Sequence, residues 1–249
     1  MALPIFVINM ERAVERREKI LAHLRGLGLE AEILPAVEGA RVPPGDLPPG
    51  THPDLSPGEI GCYLSHVRFW ETVVNRGLAH AIVLEDDVLC SPRLHGVVCE
   101  ALASGVPFDA LRLSSLRPIR GETLATLSGG ERIVLPTKNP SGTQAYLVTL
   151  EGARRMLTRL AVLNCPIDDT LDLYWRHGLR IPVLTPTLVE EDPSLASTIA
   201  GRYGSDERKT YLRHLARVAV AQRRKLTVKL MARRLRAEMR RARGQGGGR

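Results

Sequence analysis

Four apolar residues that run straight into three acids, AIVLEDD at positions 81–87, limit the folds open to this chain more than any other feature. So short an unbroken apolar run reads as a buried strand, bounded by Gly77 upstream and by charge downstream. Similar runs recur between helical patterns. PIFVIN (4–9) reads as a first strand. A charged stretch over 13–27 follows, with Val14, Ile20, Leu21 and Leu24 at helical spacing and a stop at Gly28. A second strand fits 31–36, and residues 39–58, with six prolines among twenty, are loop. Ser56, Pro57 and Glu59 form a helix-start signal. Ile60, Leu64, Val67, Trp70 and Val74 continue that helix, and Gly77 closes it. Further on, a helix fits 93–103, strands fit 110–114, 132–136 and 143–149, and a helix fits 150–160. IPVLTPTLVEED (181–192) is a late strand and loop. Strands alternating with helices predict an α/β sheet with layers on both faces.

The acids must then serve a purpose at a strand end. Side chains alternate along a strand, which predicts Glu85 and Asp87 on one side and Asp86 on the other. Two carboxylates at the carboxyl edge of an α/β sheet, where ligands bind, can converge on one hard cation that keeps positions open for phosphates. The same three residues would also serve as a solvated cap of the next helix, paired with nearby arginines.

The neighbouring segments add a resemblance. LSPGEIGCYLSHVRFWETVV (55–74) followed by AIVLEDDV (81–88) resembles glycosyltransferase family 25, the lipooligosaccharide and procollagen galactosyltransferase group. PIFVINMERAVERRE (4–18), SGTQAYLVTLEGARRML (141–157), CPIDDTLD (165–172) and PTLVEEDPSLASTI (186–199) are similar to further blocks of that family, in the family's order. The resemblance implies a GT-A-type, Rossmann-like mixed sheet flanked by helices, with a metal-carrying Asp-x-Asp motif. Here that motif stands as Glu85-Asp86-Asp87, a Glu in place of the first Asp. It further implies a divalent metal, Mn²⁺ or Mg²⁺, a UDP-sugar donor, usually UDP-galactose, and an inverting transfer.

Inversion needs a carboxylate near the acceptor hydroxyl, opposite the departing diphosphate. Asp168 matches the family's Asp and is the expected base, with Asp169 as the alternative; either would otherwise cap a helix starting near Thr170. Asn9, Arg12 and Arg16 follow the first strand, where a nucleotide is expected. Ser65 and His66 lie on a mostly buried helix, as donor contacts, as a network behind the acids, or as a satisfied core pair. Gly142 permits close backbone approach to a ligand, with Thr143 and Gln144 reading sugar hydroxyls. Glu190, Glu191 and Asp192 read as a solvated loop. Trp70 and Trp175 read as packing residues, Trp175 with the further option of stacking on an acceptor sugar.

Charge divides the chain. From Arg208 onward 15 Lys/Arg face Glu238 alone, whereas the first 207 residues hold 20 Lys/Arg and 26 Asp/Glu. The expected organisation is a glycosyltransferase domain over 1–205, a basic amphipathic helical tail over 206–243 and a disordered end at 244–249. A basic amphipathic helix predicts contact with an anionic membrane surface. Few aromatics interleave with the basic residues, so nucleic acid is not expected as a partner. The expected partners are a nucleotide sugar and a glycan or lipid-linked oligosaccharide acceptor. No 18-residue apolar run or leader is recognisable, and the four cysteines lack C-x-x-C spacing. Free thiols, a cytoplasmic location and peripheral attachment to the inner face of the cell membrane are the expectation. The rival readings are a metal-dependent sugar nucleotidyltransferase and a non-catalytic basic protein that binds membrane or nucleic acid.

Overall fold

The computed structural model describes residues 3–195 and 211–246. Its first half alternates as expected: β1 (Ile5–Asn9), α1 (Val14–Gly26), β2 (Glu32–Pro35), α2 (Pro57–Asn75), β3 (His80–Glu85), β4 (Val88–Cys90), α3 (Leu94–Ala103) and β5 (Ala110–Arg112). A hairpin follows, β6 (Gly121–Thr126) and β7 (Arg132–Pro136), then β8 (Ala145–Thr149) and α4 (Leu150–Arg159). The described chain finishes with two short helices, α5 (Ile167–Asp172) and α6 (Tyr174–His177), two short strands, β9 (Val183–Thr185) and β10 (Val189–Glu191), and the long helix α7 (Tyr211–Gly246).

Eight strands form one mixed sheet in the order β2-β1-β3-β8-β5-β9-β7-β6. Ala81, Ile82, Val83 and Leu84 of β3 are all fully buried, as are Leu147 and Val148 of β8 and Leu111 of β5. Strands without a polar face need cover on both sides, and the flanking helices supply it. β1 runs parallel to β2 and β3, β8 runs antiparallel to β3, and β5 runs antiparallel to β8. The carboxyl ends of β1, β3 and β5 and the start of β8 therefore meet at one edge. That edge collects Asn9, Glu85, Arg112 and the 141–144 segment.

Helix α2 begins with the capping box that the sequence announces: Glu59 N–H donates to Ser56 Oγ (3.3 Å), and Ser56 N–H donates to Glu59 Oε2 (2.8 Å). Its two glycines have different work. A Cβ on Gly61 would stand 2.5 Å from the Val37 carbonyl oxygen and 2.8 Å from Gly39 N, so the loop after β2 crosses the helix at backbone contact there. A Cβ on Gly58 would meet nothing. One turn later Ser65 accepts the Val37 N–H (2.8 Å) and donates to Gly61 O (2.7 Å), pinning the same loop. The spacing of Gly61 and Ser65 is thus a loop clamp.

The basic tail is not a free appendage where it is described. Arg224, Val228, Ala232, Leu235 and Met239, spaced by three or four, are buried against β6, β7 and α6. Arg236 donates to the Thr123 carbonyl of β6 (2.7 Å) and pairs with Glu122 (3.1 Å). The helix runs through Gly246; 247–249 and 206–210 lie outside the described residues. Among the described residues no helix is long and apolar enough to cross a membrane.

Gly61→Ala should lower stability by about 1–3 kcal/mol, because the contacted atoms are backbone and cannot rotate away, while Gly58→Ala should cost little. Paired denaturant titrations check this; equal midpoints for the two variants would remove the crossing as the reason for Gly61.

Candidate active site

The acidic triplet does not divide as strand alternation predicts. β3 ends at Glu85 and the chain turns over Asp86 and Asp87, so the two-residue period stops there. Asp86 and Asp87 consequently face one partner together: Arg16 Nη2 lies 2.9 Å from Asp86 Oδ1 and 2.5 Å from Asp87 Oδ2. Asn9, at the end of β1, donates to Asp86 Oδ2 (2.7 Å) and to the Ala13 carbonyl (3.2 Å), bracing the start of α1 beneath the acids. Burial pushes the Asp86 carboxyl above its ordinary value, against the pull of Asn9 and Arg16.

Glu85 turns the other way. Its Oε1 accepts the Thr143 hydroxyl (2.7 Å), and its carboxylate lies with Cys62 Sγ and a His66 ring nitrogen, all three within 4.8 Å of one another. His66 is buried and its Nδ1 lies 3.0 Å from the Tyr146 hydroxyl, which also accepts Trp70 Nε1–H (2.8 Å). Desolvation, with Arg112 adding repulsion, lowers the His66 pKa to about 3, so the ring is neutral. His66 thus stands neutral beside Glu85 and Cys62, and Ser65 serves the loop clamp. Cys62 went unrecognised in the sequence because it lacks a paired cysteine; its position one helical turn before His66 was the available signal.

The 141–144 segment is likewise spent on neighbours. Thr143 and Gln144 are buried; Gln144 Nε2 donates to Glu191 (2.9 Å), and Ser114 donates to Gln144 Oε1 (3.2 Å). Gly142 has φ 75°, and a Cβ there would stand 2.3 Å from the Gln144 amide oxygen. The close approach expected at Gly142 is made by the chain's own glutamine. Glu190 and Glu191, expected in a solvated loop, belong to β10, which pairs with β4 in a two-stranded ribbon directly after the acids. Asp192 N–H donates to the Asp87 carbonyl (2.8 Å), and Lys19 Nζ lies 2.5 Å from Asp192 Oδ2. Lys19 and Ser194 hold the Asp192 carboxyl down at about 2.

Asp168 and Asp169 lie in the first turn of α5, whose cap position is Pro166, so neither caps a helix at Thr170. The far end of α5 is fixed: Asp172 is ion-paired with Arg112 from the carboxyl end of β5 and accepts Ser141 N–H (3.1 Å). Burial raises the Asp172 pKa, countered first by Arg112. Separating such a pair leaves an uncompensated buried charge, at a cost of about 3–5 kcal/mol. This anchor attaches α5, with both candidate bases, to the same sheet edge. Arg12 is not brought in: its side chain is 70% exposed and pairs with Glu38 (3.3 Å).

The residues fit a hard divalent cation at Asp86 and Asp87. Asp87 Oδ1 and Asn9 Oδ1 are buried acceptors without a partner among the described residues, and such cations take carboxylate and amide oxygens.

Known proteins bear out the resemblance. A family model described as glycosyltransferase family 25 (LPS biosynthesis protein) matches residues 2–171. A glycosyltransferase 25 family member of Anopheles gambiae is 33% identical over 186 residues, 68% of this chain and 31% of that protein. One of Drosophila melanogaster is 30% identical over 190 residues, 70% of this chain and 31% of that protein. The inactive glycosyltransferase 25 family member 3 of Homo sapiens is 30% identical over 186 residues, again 68% and 31%. The chain spans about a third of the length of these relatives. An ordered α/β sheet, an acidic turn at its carboxyl edge and a family match over 170 residues agree: the chain belongs to glycosyltransferase family 25.

Proposed function

We propose that the chain is an inverting hexosyltransferase that moves a sugar, galactose from UDP-galactose, to a lipopolysaccharide core or related glycan. The observation that carries this reading is the meeting of the Asn9–Arg16–Asp86–Asp87 group and the anchored α5 segment at one sheet edge. The mention of LPS biosynthesis in the family description supports the acceptor class.

Arg16 and Asn9 hold the two aspartates in place, and Asp86 and Asp87 would hold Mn²⁺ or Mg²⁺. The metal, when bound, offsets the charge of the departing diphosphate. Arg16 adds a fixed positive charge at the same place. Glu85, held by Thr143 and backed by His66, keeps the turn after β3 in position. Asp168 accepts the acceptor hydroxyl proton as the oxygen attacks the anomeric carbon; Asp169, in the same turn, is the alternative. The ribbon tie from Asp192 to Asp87 closes the loop over the acids.

Incubation with a panel of UDP-sugars and Mn²⁺ should release UDP, most with UDP-galactose, and EDTA should abolish the release. Asp87→Asn and Asp168→Asn should each lower turnover about 10²–10⁴-fold in folded protein. A loss confined to Asp169→Asn would transfer the base role to that residue, and a folded wild type inert toward every nucleotide sugar would end the reading.

The outward face of α7 supports attachment to an anionic membrane. Leu226 and Leu230 are 62% and 46% exposed, among exposed Lys225, Lys229, Arg233 and Arg234. Each basic residue near such a surface contributes about 1 kcal/mol. Sedimentation with phosphatidylglycerol vesicles should carry the protein down at low salt, and Lys229, Arg233 and Arg234 changed together to Gln should lower the vesicle-bound fraction at least tenfold. Equal binding by that triple variant would exclude this face.

A further inference from the structure

A second group of basic residues lies where α6 meets α7, away from the acids. A cavity of about 440 Å³ opens between α6 and α7, lined by Trp175, Arg176, Arg223 and Thr227. That is more than ten times the share of one water molecule in the liquid, so the space suits an ion with something attached to it. Trp175 lies under the Arg176 guanidinium (5.1 Å from carbon to ring centroid) and is only 7% exposed, yet its Nε1–H has no partner among the described residues. Behind this lining, buried Arg224 of α7 donates to Asn139 Oδ1 through Nη1, and neither it nor Arg112 lines the cavity.

The lining shares one chemistry: the Trp175 Nε1–H and the Arg176 and Arg223 guanidinium groups are donors, and both guanidinium groups carry positive charge. Among the described residues no carboxylate forms an ion pair with Arg176, Arg223 or Arg224, and Asp172 is already engaged by Arg112. Buried donors left unmade cost about 1–3 kcal/mol each, and a fork of guanidinium groups matches an oxyanion with several acceptor oxygens. Burial lowers the Arg224 pKa against the pull of Tyr174 and Asp172.

We propose that this cavity binds a phosphate monoester carried by the sugar acceptor. The inference rests on the transferase reading for the word acceptor, but the anion site itself does not. Its place in the chain favours the acceptor over the donor. α6 directly follows α5, which carries the candidate bases, whereas a donor diphosphate belongs at the ends of β1 and β3 on the other side of β8. An in-line displacement requires the acceptor on the base side, opposite the leaving group.

The test is binding, with glucose 6-phosphate as the probe, titrated into the full chain at constant ionic strength. Trp175 reports on the site by its emission, since Trp70, the other tryptophan, is fully buried with its N–H on Tyr146. We expect a saturable change for glucose 6-phosphate and none for glucose. The double variant Arg176→Gln/Arg223→Gln, both residues being exposed and its melting temperature serving as the fold check, should weaken the probe at least tenfold. UDP with Mn²⁺ should bind wild type and variant within twofold. Absence of a saturable signal, or equal affinity in the variant, would overturn the site. Competition between UDP and the probe, with parallel loss of both in the variant, would overturn the acceptor assignment and give the cavity to the donor diphosphate. If the chain proves inert toward every nucleotide sugar, the probe titration still decides the anion site.

Discussion

Burial of β3 on both faces is the constraint from which the site follows. A strand whose four central residues are fully buried cannot carry a charge along its length, so polar chemistry is displaced to its ends. Because β1, β3 and β5 point the same way, their carboxyl ends lie at one edge, and the hydrophilic residues of three strands meet there. Asn9, Glu85 and Arg112 are the positions at which each strand leaves the core. What each meets is decided by the next element: α1 brings Arg16 to Asp86 and Asp87, β8 brings Thr143 to Glu85, and α5 brings Asp172 to Arg112.

Much of this was legible in the residues. The capping box, the first three strands and the helix stops at Gly28 and Gly77 all rest on local chemistry, and their positions agree with the structure to within a residue or two. The acids were located but their partition was not, since alternation holds only while the strand continues and a turn replaces it after Glu85. Contacts that span the chain left no local trace. The β4–β10 ribbon joins residues about a hundred positions apart, each strand three residues long. The β6–β7 hairpin was half seen: β7 has an apolar run, but β6 is largely polar and reads as loop. The packing reading of Trp175 agrees with its burial, but no local pattern shows its unpartnered N–H.

Ser65, His66, Thr143 and Gln144 show how a motif can combine support with function. All four are buried with their side chains on other protein groups, so their spacing is set by the scaffold. They position the acidic turn and its neighbours, while Asp87 Oδ1 and Asn9 Oδ1 at that turn stay buried without a partner among the described residues.

The position of α7 also bears on how the sheet ends. β6 is the last strand of eight, and an outermost strand exposes backbone groups on which another chain can build. Arg236 places its guanidinium on the Thr123 carbonyl, where the β6–β7 register shifts. A side chain from a charged helix thereby takes up a backbone acceptor that a ninth strand would use. The basic helix is thus also a guard against edge-to-edge aggregation, and it keeps the sheet finite without a closing strand.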